Sequence, residues 1–163
     1  ANEAAAKQLT AQIAALQVQE AAALAAGGGN GHFQWPETGP ITQGFGCTTY
    51  PFEPYDPSCA TKHFHSGIDI AAPCGNNIAV ADNGIVHLYF SDVGYGNHII
   101  IVHGNGWISV YGHMASFTVR DGQTVHRGQL IGYEGSSGNS TGCHLHFEVD
   151  LNNVPRNPLA YLS

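Results

Sequence analysis

A mainly β, antiparallel domain preceded by one N-terminal α-helix is the fold class this chain predicts, on three observations. From Trp35 onward, short β-type runs alternate with Gly, Pro and Asn, and no helical period is sustained. The composition agrees: 21 glycines and 8 prolines supply turns, and charged residues make up 10%, against roughly 25% in ordinary soluble domains. The opening residues differ, being rich in alanine and other strong helix formers. At 163 residues the chain is long enough for one domain with a core and too short for two of ordinary size.

The helix is expected over 1–26, about 39 Å long if continuous. Glu3 and Lys7 form an i,i+4 pair in the favourable order, and Leu9, Ile13 and Leu16 follow four-three spacing. Glu20 interrupts that apolar stripe, so the segment reads as a solvated helix or the tail of a coiled coil, open to a helical partner or an oligomer. Residues 27–34 form a Gly-rich linker, and 35–163 the β domain. Strands are expected at 41–43, 78–81, 85–90, 98–103, 107–111, 129–133 and 145–149. Between them fall turn signals such as Asp82-Asn83-Gly84 and Asp121-Gly122, and Asn105-Gly106 between two apolar runs marks a tight hairpin. No internal repeat of solenoid or propeller length is present.

A net charge of -7 with only five Lys plus Arg argues against a nucleic-acid partner, since phosphate recognition is built from clustered cations. No run of 18 or more apolar residues reads as a membrane span. The chain opens at Ala1 without the basic and then apolar order of a signal peptide, and reads as a processed or trimmed piece of a longer protein. Cys47, Cys59, Cys74 and Cys143 contain no C-x-x-C pair, so two disulfides in an oxidising, extracytoplasmic compartment are expected. Three pairings are possible; Cys47 with Cys59 is favoured because it closes a short Pro-rich loop.

Ten histidines are a surplus, and some of them cluster. In 142–149, Leu145, Phe147 and Val149 alternate with His144, His146 and Glu148, the period of a strand with one buried face. Imidazoles two residues apart on a strand stand roughly 6 to 7 Å apart at the backbone, which suits one histidine holding a metal and its neighbour reaching the water on it. A bare His-x-His can equally be structural. A second cluster, His63-Phe64-His65-Ser66-Gly67-Ile68-Asp69, contains glycine and leads toward Pro73, so a turn into a strand, rather than a helix, brings His65 and Asp69 together. Two histidines and a carboxylate make the three-ligand set of a catalytic zinc site, with the fourth position left to water. The third cluster, Val110-Tyr111-Gly112-His113, is a strand end with a histidine just past a glycine.

Taken together, these segments resemble the LytM and lysostaphin type of zinc endopeptidase, whose hallmarks are H-x-x-x-D and a distant H-x-H. The resemblance runs from about Trp35 to Leu162 and includes Gly44-Phe45-Gly46, Gly94-Tyr95-Gly96-Asn97, His103-Gly104-Asn105-Gly106 and Ser140-Thr141-Gly142 in the family's order. It implies a sandwich-like peptidase domain of the duplicated hybrid motif type. It also implies that His65, Asp69 and His146 bind Zn2+, and that His113 and His144 flank its water as catalytic groups. Glu148 becomes an accompanying residue rather than the base, and Tyr111 a part of the cleft wall. His63 reads as an exposed neighbour or as a partner behind the ligands, His103 as a structural hydrogen-bonding residue at the end of an apolar strand, while His32, His87, His98 and His126 fall outside the family's functional positions. Cys143 stands where relatives often carry proline, so a Cys74 to Cys143 bridge would tie the two ligand-bearing arms together.

The activity so implied is hydrolysis of peptide crosslinks in bacterial peptidoglycan by metal-activated water. The alternative is a non-catalytic module of the same shape that docks or activates another cell-wall hydrolase. Either role belongs outside the cytoplasm: in the periplasm, at the cell surface, in secreted form or in a phage virion.

Overall fold

The computed structural model describes residues 3–24, 29–138, 140 and 142–163, with the side chains of 17–24 excepted. Helix α1 (Glu3–Leu24) is followed by strands β1 (Ile41–Gln43), β2 (Gly46–Thr48), β3 (His63–His65), β4 (Ile68–Ile70), β5 (Asn77–Ala79), β6 (Gly84–Tyr89) and β7 (His98–Gly104). Then come β8 (Trp107–Gly112), β9 (Met114–Phe117), β10 (Thr124–Val125), β11 (Leu130–Glu134), β12 (Leu145–Leu151), β13 (Val154–Arg156) and a short 3-10 turn, Pro158–Ala160.

The main sheet runs β1-β4-β12-β8-β7-β6-β10, with β13 on β12; a smaller sheet runs β5-β11-β9, and β2 pairs with β3. The strand pairs are antiparallel, as the turn-rich sequence predicts. Asn105 and Gly106 take φ of 55° and 84° between β7 and β8, both positive as a two-residue type I′ hairpin requires. The strands missing from the sequence reading, β2, β3, β4, β9, β10 and β13, have two to four residues each, too few to display a period.

Alternation along the long strands divides the main sheet into two faces. Ile99, Ile101, Tyr111, Leu145, Phe147 and Val149 point to one side and pack with Ile78, Met114 and Ile131 of the smaller sheet, forming the larger core. Tyr111 is therefore core and not cleft wall. Its hydroxyl accepts from Ala81 N at 2.9 Å and meets Ser109 Oγ at 2.8 Å.

The opposite face is shared by two different occupants. Over β7 and β8 lies α1, whose Leu9, Ile13 and Leu16 are buried against Tyr95, Ile100, Val102, Ile108 and Val110. The helix is thus neither solvated nor free as a coiled-coil strand over this stripe, because the sheet offers an apolar face that three spaced aliphatics fit. Over β4 and β12 the same face carries polar residues instead, and there the histidines collect. Of the segment read as a linker, Gly27 and Gly28 lie outside the described residues. Gly29 N donates to Asp82 Oδ2 at 3.2 Å, and Phe33 is fully buried beside Trp107. No helix among the described residues is long and apolar enough to cross a membrane.

Candidate metal centre

The pairing register assembles the site. In β12, His146 lies opposite Asp69 of β4 on one side and opposite Gly112 of β8 on the other, so His113 begins the turn beside it. Gly67 permits the approach of the β3–β4 turn: a Cβ there would meet Phe147 O at 2.4 Å and His146 Cε1 at 3.1 Å. His113 itself has φ of 62°, a strained backbone for a non-glycine residue, held by its N–H donating to Tyr95 O at 2.7 Å.

One ligand atom each from His65, Asp69 and His146 fall within 4.8 Å of one another. His65 Nε2 stands 3.3 Å from Asp69 Oδ1, and His146 Nδ1 stands 3.5 Å from the same oxygen. Ligand atoms bonded to one zinc at about 2.1 Å would stand roughly 3.4 Å apart, so the spacing fits. The outward nitrogens are anchored: His65 Nδ1 donates to Gly44 O at 2.9 Å, and His146 Nε2 donates to Glu148 Oε1 at 3.0 Å. Those bonds leave the inward nitrogens as lone-pair donors, the tautomers a metal needs. Asp69 Oδ1 is buried without a hydrogen-bond partner among the described residues, which suits an atom meant for a cation.

The electrostatics agree. Burial would raise the Asp69 carboxyl, but the adjoining His146 and His65 outweigh it and hold it well below the usual carboxylate range. Burial likewise opposes charge on His146, yet Asp69 and Glu148 override it and lift the imidazolium to about 9. The cluster attracts positive charge, whether a proton or a metal.

His113 and His144 stand together beyond the three ligand atoms, ring centroids 4.7 Å apart. His113 Nδ1 donates to Ser137 O at 2.8 Å, and burial lowers its pKa to about 3, with His144 and His146 adding to the shift. His144 precedes β12 rather than lying in it. Its Nδ1 donates to Gly142 O at 3.1 Å, and Nε2 is 3.8 Å from Asp69 Oδ2. All five side chains line one cleft of about 560 Å³, whose rim carries the stacked rings of Tyr50 and Phe52.

The structure thus places all five predicted site residues together. Sequence reasoning missed what surrounds them. Ser66 Oγ donates to Glu148 Oε1 at 2.7 Å, and Tyr95 packs its ring 4.9 Å from that of His146. Glu53 brings a buried carboxylate to 4.0 Å from His65 Nε2. Tyr95 could have been suspected from its Gly-Tyr-Gly-Asn stretch; Glu53 lies in an irregular loop and gave no signal. His63 is half-buried, its Nδ1 donating to Glu53 O at 2.8 Å. His103 is structural, bonded to Asn83 O and Ser109 Oγ.

Comparison with known proteins places this arrangement. The family model for Peptidase family M23 matches residues 63–158. The DD-carboxypeptidase/endopeptidase Mpg of Neisseria meningitidis is 39% identical over 104 residues, 64% of this chain and 24% of that protein. The murein hydrolase activator NlpD of Escherichia coli is 37% identical over 131 residues, 80% of this chain and 31% of that protein. A solved zinc-containing peptidase from Vibrio cholerae aligns with a TM-score of 0.65 at 32% identity, over 77% of this chain and 39% of that one. The chain spans only about a quarter to a third of the length of those two curated relatives. Since the family match covers more than half of its residues, the chain belongs to peptidase family M23, the family of LytM and lysostaphin.

Proposed function

We propose that this domain is a zinc-dependent endopeptidase that hydrolyses peptide crosslinks of bacterial peptidoglycan outside the cytoplasm. The observation carrying this reading is the convergence of His65, Asp69 and His146 on one point, with both imidazole tautomers fixed by bonds on their far sides. Zinc held by these three would act as a Lewis acid and make water nucleophilic near neutral pH. The chain's own residues do the rest. His113 and His144 each have Nδ1 committed to a backbone carbonyl, so each presents Nε2 to the cleft. One such nitrogen can accept the proton of the attacking water, and an imidazolium can stabilise the oxyanion or protonate the leaving amine. Glu148 and Ser66 keep His146 in place, and the cleft between β4, β12 and the 47–59 loop admits an extended peptide. The two disulfides support an oxidising location.

A second reading is favoured by the likeness to NlpD: the same cleft could dock or activate another wall hydrolase without chemistry of its own. Metal analysis and digestion of purified peptidoglycan, with released fragments weighed by mass spectrometry, separate the two. One zinc per chain and released stem peptides are expected, both lost in His146→Ala. A metal-free protein that releases nothing, yet stimulates a second murein hydrolase added to the same digest, would support the second reading instead.

A further inference from the structure

We propose that Ser137 is a positioning residue for the proposed hydrolysis: its hydroxyl locks two segments together so that its own carbonyl holds His113 in one tautomer, with Nε2 toward the cleft. The inference rests on the zinc endopeptidase reading above and adds to it a residue outside the H-x-x-x-D and H-x-H signatures.

The need for such a residue comes from His113 itself. It stands between β8 and β9 rather than within a strand, with its φ of 62°. Its backbone N–H donates to Tyr95 O at 2.7 Å and its Nδ1 to Ser137 O at 2.8 Å, so one turn holds its backbone and another its ring. A neutral imidazole has one N–H, and the bond made by one nitrogen decides the state of the other. Released from Ser137 O, the ring is free to carry its proton on Nε2, where no lone pair is left for the attacking water.

Ser137 is tied down where that carbonyl is needed. Its Oγ donates to Met114 O at 2.7 Å and accepts from Asn97 N at 3.1 Å. Met114 follows His113 directly, and Asn97 ends the 94–97 turn that supplies Tyr95 O. Met114 N donates in turn to Asn97 O at 2.9 Å, which closes the ring of contacts. One hydroxyl therefore spans both segments that border His113. The fit is close: a Cβ on Gly96 would fall on Ser137 O, and one on Gly138 would fall on Gly96 N, so the two turns touch only because both residues are glycine. Alanine at 137 keeps the carbonyl and removes the clamp.

The test compares wild type with Ser137→Ala and Ser137→Thr on the oxidised chain. Ser136→Ala, whose side chain is exposed one residue away, controls for disturbance of the turn. Long-range proton–nitrogen NMR of the histidine rings at pH 7 reads the tautomer, the signals of His113 being those that His113→Gln removes. Digestion of a crosslinked stem-peptide dimer by the zinc-loaded forms reads kcat and KM. In wild type, Ser137→Thr and Ser136→Ala, His113 should carry its proton on Nδ1 alone. Ser137→Ala should show both tautomers and lose kcat about 10- to 100-fold, with KM and zinc affinity unchanged. An alanine variant that keeps the wild-type tautomer overturns the role of Ser137, even if it melts lower, and so does a threonine variant that behaves like alanine. A wild type that cleaves nothing overturns the hydrolase reading instead, and the NMR arm then decides by itself whether Ser137 holds His113.

Discussion

At the scale of single residues, the site works through pairs in which one atom fixes another. Glu148 is the clearest: buried, it accepts hydrogen bonds from His146 Nε2 and Ser66 Oγ on the same oxygen. Glu148→Gln keeps the shape and removes the charge, so zinc affinity should fall roughly 10- to 100-fold in chelator competition while the unfolding transition changes little. His103 shows the same logic serving stability. It is fully buried and neutral, bonded at both nitrogens, and burial lowers its pKa to about 4. Between pH 6.5 and about 4 the unfolded chain takes up a proton there and the native chain does not. Stability is therefore lost as the pH falls through that window, by roughly 2 to 4 kcal/mol. Urea unfolding of wild type and His103→Gln checks it: the advantage of wild type at pH 7 should shrink toward pH 4.5.

At the scale of elements, legibility followed strand length and periodicity. Long strands such as β7 and β12 announce themselves by apolar runs or alternation, and β12 also reveals which of its residues face the site. Strands β3 and β4, three residues each, carry two of the three predicted ligands but show no period; only the spacing of His65 and Asp69 betrayed them. Helix α1 was legible as a helix and not as a docked one, because its stripe is narrow and nothing in the sequence says that β7 and β8 expose Ile100, Val102, Ile108 and Val110 to receive it. Ile13, 2% exposed, sits in the middle of that contact. Ile13→Asp should release the helix while the sheet remains folded, since its docking rests on three aliphatic side chains. Hydrogen exchange reads this directly: α1 amides should lose protection and those of β12 should keep it. Joint loss would mean that helix and sheet form one cooperative unit.

At the scale of the whole molecule, the two disulfides divide stability from function. Cys74 and Cys143 are 69 residues apart and join the segment after β4 to the one before β12, whereas Cys47 and Cys59 are only 12 apart. In the chain-entropy model the longer closure contributes about 4 kcal/mol and the shorter about 3. The Cys74→Ser/Cys143→Ser protein should therefore melt lower than Cys47→Ser/Cys59→Ser. The metal should respond in the opposite order. Asp69 and His146 are held by the pairing of β4 with β12, and His65 by that of β3 with β2, and neither pairing contains Cys74 or Cys143, so zinc affinity there should stay close to wild type. What that bridge holds is His144, one residue from Cys143 and outside the sheet, so hydrolysis should drop further than metal binding. Opening the 47–59 loop loosens β2, whose pairing with β3 seats His65. Zinc affinity should then fall although less stability is lost. Thermal unfolding and zinc competition on the two double variants decide the matter, and a single ranking in both measurements would show that the bridges act only through global stability.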